Sequence, residues 1–420
     1  MMAIQSPEEF LALLEKSNLL GADQFLAACQ SVNGLDDATL AARHLVRDGF
    51  VTRWQAAQLL AGRSSFLLGK YRLLDLLGRG GMGRVFLGRH MTMQRQVALK
   101  IISREIAGNP AALERFLAEA RAIAALDHPA IVQAYSVDCE GDRYYIVMEY
   151  VDGRDLQRVV EEDGSLPWQT AAEYVRQAAD GLAHAHGRNL VHCDIKPSNL
   201  LVNSQGQVKI LDMGMARLGD RNEDADGADV NNGNHLLGSV DYLAPEQALG
   251  SDTFDHRADI YSLGCTLYFL LTGHPPFPGG TLPERLLKHQ TQQPRPIPTE
   301  RPDVPPPLVQ ICRRMMAKQP GERFQSANEI ATALAEVPSL VSAAGDAAAR
   351  PAPAGPRAAG ERSPADAAMV AASMPADPGD VLRHWLASTP GRLVLAGGAC
   401  LLFAVVVAVS MAIMAAREPT

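Results

Sequence analysis

The sequence predicts an α+β chain: a β-rich segment with a glycine-rich turn, then a longer helical segment, with a small helical region ahead and one apolar span behind. Three observations predict it. First, Leu77-Gly78-Arg79-Gly80-Gly81-Met82-Gly83-Arg84-Val85 runs into Val85-Phe86-Leu87-Gly88 and then Gln96-Val97-Ala98-Leu99-Lys100-Ile101, two apolar runs across a polar turn. Second, residues 113–124 set Phe116, Ala120, Ile123 and Ala124 at helical spacing, which gives one inward face. Third, the run Val191-His192-Cys193-Asp194-Ile195-Lys196-Pro197-Ser198-Asn199 concentrates charged and amide side chains in a short loop.

The glycines come first in the chain. Glycine adopts positive φ and lets backbone N–H groups lie over phosphate oxygens. G-x-G-x-x-G also marks dinucleotide-binding folds, but there a helix follows. Here strands follow Gly78, Gly80 and Gly83, so the segment reads as a hairpin. Lys100 lies in an apolar strand that continues on both sides of it, so its ammonium needs an anion nearby. Nucleotide phosphates are one candidate and Glu119 is the other. Glu114 competes with Glu119, but it begins the helix and is better placed to complement the dipole.

These segments resemble protein kinases. Gly78 to Val85 matches G-x-G-x-x-G-x-V, and Val97-Ala98-Leu99-Lys100 matches V-A-I-K. His192-Cys193-Asp194, with Lys196 and Asn199, resembles the catalytic loop H-R-D-x-K-x-x-N, departing from it at Cys193. Asp212-Met213-Gly214 stands where that family has D-F-G, and Ala244-Pro245-Glu246 where it has A-P-E. Asp259 matches the buried aspartate that braces the catalytic loop, and Arg323 the arginine that pairs with Glu246. The resemblance is to bacterial, eukaryotic-like serine/threonine protein kinases, membrane-anchored, over roughly Tyr71 to Val337.

The resemblance implies a bilobal protein-kinase fold, with ATP between a small, mostly β lobe and a large helical lobe. It implies that Asp194 orients the acceptor hydroxyl or takes its proton, and that Lys196 stabilises the moving phosphoryl. Lys100, paired with Glu119, positions the phosphates, while Asn199 and Asp212 hold Mg2+, which prefers oxygen ligands. Gly78, Gly80, Gly83, Val85, Ala98 and Leu201 surround the nucleotide. Met148 is the gatekeeper, the backbone of Glu149 and Val151 meets adenine, and Asp155 contacts ribose. Lys196 favours protein Ser/Thr acceptors over tyrosine. A pseudokinase scaffold is the alternative, and every named catalytic position is filled against it. A small-molecule kinase is disfavoured by Ala244-Pro245-Glu246 and the segment before it, which resemble a peptide-binding platform.

Composition sets bounds on the rest of the chain. A net charge of -8 leaves no basic footprint for nucleic acid. The 6 cysteines show no C-x-x-C spacing and read as reduced thiols. His184, His186, His192 and Cys193 have metal-like types, but the helix end and the catalytic loop explain them more simply than zinc. Residues 1–62 read as a small helical region, with a cap at Ser6, Pro7 in the first turn, and periodicity again at 37–45 and 52–60. It is read as packed on itself or on the kinase domain, or else as a docking or dimerisation module. The proline runs at 294–298 and 305–307 read as a loop of the helical lobe rather than as a partner's ligand.

The kinase domain is placed at 71–337, and the Ala/Pro/Gly-rich stretch 338–391 reads as a linker. No charge occurs from Leu393 to Ala416, so 392–416 reads as a transmembrane helix, ahead of a tail at 417–420. Arg383, His384 and Arg392 place the kinase on the cytoplasmic side of this tail anchor. Neither a signal peptide nor an extracellular sensor domain is expected. Ala396, Cys400, Ala404, Ala408, Ala412 and Ala416 form a small-residue stripe consistent with a homodimer. Residues 215–238 contain no Ser, Thr or Tyr, and Cys193 removes a charge that a phosphate would neutralise. Activity independent of phosphorylation in that loop is therefore expected, with Ser239 packed against Asp194 and Lys196.

Overall fold

Four helices open the chain, α1 (Pro7–Lys16), α2 (Ala22–Ser31), α3 (Ala38–Arg47) and α4 (Arg53–Leu60), and all but α2 start where a side-chain cap and an apolar face coincide. In this computed structural model, which describes residues 4–80, 83–213, 240–248 and 254–349, Ser6, Asp37 and Thr52 accept the N–H groups of Glu9, Leu40 and Gln55. Phe10, Leu14, Leu45, Leu59 and Phe66 fill the core between these helices. Periodicity does not reveal α2, because Ala28 is its only fully buried residue and its cap is Gly21, which has no side chain. The side chain of Glu119 and the span at 392–416 lie outside the described residues, as do Gly214, the 215–238 loop and Ser239. Among the described residues no helix is long and apolar enough to cross a membrane.

Alternating side chains then build the sheet. Strands β1 (Leu67–Leu68), β2 (Tyr71–Gly80), β3 (Gly83–His90) and β4 (Gln96–Ile102) are followed by α5 (Arg104–Gly108) and α6 (Pro110–Ala124). Strands β5 (Ala134–Glu140) and β6 (Arg143–Glu149) complete an antiparallel sheet in the order β1-β2-β3-β4-β6-β5. Leu73, Phe86, Leu99, Tyr145 and Val147 pack on one face. Ile102 and Ile146 pack on the other, against Phe116 and Ala120 of α6. The period of two puts Val85, Ala98 and Lys100 on the α6 side. Gly83 has φ +144, and a Cβ there would lie 1.9 Å from the Ile101 carbonyl oxygen. Only glycine lets β3 enter the sheet at that point.

The second lobe opens with β7 (Gly153–Asp155), α7 (Leu156–Asp163) and α8 (Trp168–His186), then β8 (Leu200–Asn203) and β9 (Val208–Ile210). The small sheet β7-β8-β9 flanks the loop between α8 and β8 that carries Asp194. Helices α9 (Pro245–Ala248), α10 (Arg257–Thr272), α11 (Leu282–Thr291), α12 (Ile297–Glu300), α13 (Pro306–Met315) and α14 (Ala327–Ala349) follow. The proline run at 305–307 leads into α13, where its missing N–H groups are not needed. Helix α14 runs through Pro338 to Ala349, so the start of the stretch read as linker is helical. Its Ala-rich sequence favours helix, and Leu334 and Val337 anchor it in the core.

Helix α10 is buried on every side from Ala258 to Leu271, as the central helix of a lobe must be. Its Gly264 lies against α13, where a Cβ would meet the Met315 Cβ at 2.7 Å. The substitution Gly264→Ala is therefore expected to lower stability by about 1–3 kcal/mol. Urea denaturation of the full chain measures this, and an unchanged midpoint would show that Met315 moves aside at no cost.

Candidate active site

The catalytic-loop segment is shaped from beneath by a carboxylate. Asp259, 1% exposed on α10, accepts the backbone N–H of His192 and that of Cys193, each at 2.8 Å. His186 Nε2, at the end of α8, lies 2.8 Å from the same carboxylate. Burial alone would raise the Asp259 pKa. The His186 hydrogen bond and charge, with the His192 backbone N–H, outweigh burial and hold it below the ordinary carboxylate value. Cys193 adopts the left-handed conformation, φ 69, rare for a non-glycine residue. The two bonds to Asp259 hold the backbone at that strained point.

His192 is fully buried and joins the loop to the strand end beyond it. Its Nε2 lies 2.7 Å from the Leu211 carbonyl, which only accepts, so Nε2 carries the proton. Nδ1 is then free to accept the Asp194 N–H at 3.2 Å. His192 thus uses both ring nitrogens in protein contacts, whereas His186 uses Nε2 on Asp259 and buries its Nδ1 without a hydrogen-bond partner.

Asp194 is flanked by both of its predicted companions. Lys196 Nζ lies 2.7 Å from its Oδ2, and Asn199 Nδ2 donates to Oδ2 at 3.1 Å and to the Asp194 carbonyl at 2.7 Å. With Nδ2 so directed, the Asn199 amide oxygen is its ligand atom for a hard cation. The Leu211 N–H donates to the Asn199 carbonyl at 2.9 Å, which brings Asn199 beside the Asp212 segment.

Asp212 also lies in the left-handed region, φ 53, and meets Lys100 Nζ at 2.7 Å. The Asp212 side chain keeps 39% of its surface exposed, and its partial removal from water raises its pKa. The charge and hydrogen bond of Lys100, aided by Lys196, bring it below the ordinary value, so the carboxylate is ionised near neutrality. One amide oxygen and one ionised carboxylate on adjoining segments suit Mg2+, with phosphates and water completing its shell. Met213 is buried, as its apolar character implies.

The remaining predicted positions fall around the cleft between the lobes. Val85 is paired with Lys100 across β3 and β4, and Ala98 with Met148 across β4 and β6. Gly78 is opposite Val85, and Gly80 opposite Gly83. Asp155 is paired with Leu201 across β7 and β8, and its carboxylate caps α7 through the Arg158 N–H at 2.9 Å. Glu149 donates its N–H to Gln133, so backbone contact from Glu149 to a ligand runs through its carbonyl. Val151 lies just beyond β6, and Glu119 lies on α6. Behind Met148 a small apolar cavity is lined by Ala120, Val132, Ile146, Ile210 and Met213.

Two connections escaped sequence reasoning. Gln247 Nε2 donates to the Cys193 carbonyl at 2.9 Å, which ties α9 to the loop beside Asp194. Lys209 Nζ on β9 pairs with the Glu149 carboxylate at 2.8 Å, across the lobes. Neither residue belongs to a motif, so only its neighbours in space reveal it. Arg323, itself 1% exposed, grips Glu246 with two bonds at 2.6 and 2.8 Å.

This arrangement has the form of a phosphoryl-transfer site: a carboxylate and an ammonium on one loop stand with an ionised carboxylate and a strand lysine on adjoining segments. The protein kinase domain matches residues 71–334, and the chain belongs to the protein kinase family. The serine/threonine-protein kinase PknB of Mycobacterium leprae is 38% identical over 274 residues, covering 64% of this chain and 43% of that protein. The serine/threonine-protein kinase PrkC of Bacillus subtilis is 37% identical over 262 residues, covering 62% and 39%. The chain thus spans less than half the length of these relatives. The crystal structure of the Mycobacterium tuberculosis PknI kinase domain aligns with a TM-score of 0.50 at 29% identity, covering 64% of this chain and 97% of that one.

Removing the Asp259 carboxylate leaves two buried N–H groups without an acceptor. Asp259→Ala is expected to cost about 3–5 kcal/mol, as breaking a buried ion pair does. The folded pKa lies below the unfolded value of about 3.9. Wild type therefore holds this stabilisation above that pH and loses it as pH falls through the folded pKa. Denaturation of both proteins between pH 3 and 7 should show the gap closing only at the acid end; a gap constant with pH would refute the linkage.

Proposed function

We propose that this chain is an ATP- and magnesium-dependent serine/threonine protein kinase, tethered at the cytoplasmic face of a membrane by residues 392–416. The observation that carries the catalytic reading is the Asp194 carboxylate, bonded to Lys196 at 2.7 Å and to Asn199 at 3.1 Å on the same loop. Asp194 accepts the proton of a Ser or Thr hydroxyl as its oxygen bonds to the γ-phosphorus. The bond from that phosphorus to the β,γ-bridging oxygen breaks, and ADP leaves with the bonding electrons. Lys196 stabilises charge on the moving phosphoryl group. Lys100 orients the α- and β-phosphates. Magnesium, when bound by Asn199 and Asp212, supplies neutralisation of phosphate charge.

A protein acceptor is supported by the platform around Glu246. Arg323 braces Glu246, and Asp241 pairs with Arg285 of α11 at 2.7 Å, giving the segment before α9 a fixed base. The names of the relatives, serine/threonine-protein kinases, favour the hydroxyl class that Lys196 also favours. With the full chain in detergent, ATP, Mg2+ and a generic protein substrate, Asp194→Ala should lower the rate by about 10²–10⁴-fold. Equal rates for the two proteins would leave a binding scaffold as the reading.

The tether rests on the uncharged stretch from Leu393 to Ala416, long enough to span a bilayer. Cells expressing the full chain should yield kinase in the membrane fraction, resistant to alkaline carbonate. A chain ending at residue 391 should be in the soluble fraction. A soluble full chain would refute the tether.

A further inference from the structure

The glycine-rich hairpin is held from outside the kinase domain. Strand β2 is flanked on its outer edge by β1, but that pairing ends at Arg72, and the Leu73 N–H makes a last bond to the Phe66 carbonyl at 2.8 Å. An edge strand beyond that point needs other partners for its polar groups. The register also breaks there: Leu73 faces Gly88 and Asp75 faces Leu87, which leaves Leu74 as the extra residue of a bulge. Bulges bend and twist a strand, so this one, at the base of the hairpin, and a second at Leu77, between Leu76 opposite Phe86 and Gly78 opposite Val85, together set the direction of the hairpin that carries Gly78, Gly80 and Gly83.

The N-terminal module grips the first bulge. Thr52 and Gln55 form a reciprocal cap at the start of α4, in which Thr52 Oγ1 accepts the Gln55 N–H at 3.1 Å and Gln55 Oε1 accepts the Thr52 N–H at 2.9 Å. The Thr52 hydroxyl proton and the Gln55 amide protons remain available, and each side chain donates to β2. Thr52 Oγ1 donates to the Leu74 carbonyl at 2.6 Å, and Gln55 Nε2 to the Leu73 carbonyl at 2.7 Å. Gln55 is 3% exposed, so its bond forms away from water. Between them Trp54 sets its ring edge-to-face with Phe86 of β3 at 5.6 Å and with Phe66 at 5.8 Å. Phe86 alternates with Val85, so α4 holds the outer face of the hairpin while Val85 faces the cleft.

We propose that residues 4–66 form a positioning module for the nucleotide site, with Thr52 and Gln55 fixing the β2 bulge and so the pose of the glycine-rich hairpin over ATP. This rests on the kinase reading above and adds a control point to it. The module acts on nucleotide binding rather than on transfer, because Asp194, Lys196 and Asn199 belong to the other lobe. Anything that pries α4 from β2 would weaken ATP binding without touching the catalytic loop.

The test uses the full chain, with Thr52→Val and Gln55→Leu combined, against wild type. A fluorescent ATP analogue gives Kd, and steady-state kinetics gives KM for ATP and kcat separately. Loss of two such bonds is expected to raise Kd and KM about fivefold or more, with kcat at saturating ATP within about twofold. Thr52→Ser, which keeps the hydroxyl, should restore wild-type affinity in that position. Gln55→Glu, nearly isosteric but lacking the donor, should weaken binding even if the double variant fails to fold. Unchanged Kd in folded variants, or a fall in kcat alone, overturns the inference. Wild type that binds no nucleotide overturns the kinase reading itself, and the inference with it.

Discussion

The buried carboxylate of Asp259 is the constraint on which the site depends. A loop that must expose Asp194, Lys196 and Asn199 cannot also satisfy its own backbone by regular pairing. Its N–H groups at His192 and Cys193 therefore turn inward to a side chain from α10. Because α10 is enclosed along its length, the acceptor cannot drift. The left-handed backbone at Cys193 is a consequence, since the chain reverses there to offer consecutive N–H groups to one carboxylate. Desolvating that carboxylate is costly, and His186 offsets the cost from the end of α8. The departure from arginine at 193 does not disturb this, because the backbone of Cys193 makes the contact.

From that base the order spreads to both lobes. His192 carries it to Leu211, Leu211 carries it back to Asn199, and Asp212 is the next residue to face Lys100. Opposite charges thus stand where polyphosphate and cation charge must be met. A second crossing runs through Glu149 and Lys209, at the chain segment that joins the lobes. Between these crossings Ile210 exchanges backbone bonds with Ala130 and Val132, so the first lobe is registered on the second by backbone as well as charge. The relative pose of Lys100 and Asp194 follows from these connections rather than from either residue alone.

Much of this was legible in the sequence because it rests on local spacing. The glycine pattern, the strand lysine and the loop from His192 to Asn199 lie within short windows, where chemistry restricts residue type. Asp259, Glu246 and Arg323 were legible only through resemblance, since nothing local marks an aspartate in an apolar helix as an N–H acceptor. Gln247 and Lys209 were not legible at all: nothing beside a glutamine after a helix start or a lysine in a short strand marks the distant Cys193 carbonyl or Glu149 carboxylate that each one meets. Helix α2 was missed because one buried alanine leaves no periodic signal. The continuation of α14 past Pro338 was missed because proline and alanine together resemble a linker, while burial of Val337 favours helix.

The N-terminal module shows how local signals take on a second meaning in three dimensions. Thr52 and Gln55 read in sequence as an ordinary helix start, and they are one. A capping box leaves the threonine hydroxyl proton and the glutamine amide protons over, and in an isolated helix water takes them. Here they meet two carbonyls that a bulge has turned outward, next to a strand whose neighbour has just ended. Trp54 joins the module core to the sheet core, being packed against both. Thr52, Trp54 and Gln55 thus begin a helix, close a sheet edge and link two hydrophobic cores. That economy makes the module part of the small lobe's structure, and it places a mechanical handle on the glycine-rich hairpin at the face away from the nucleotide.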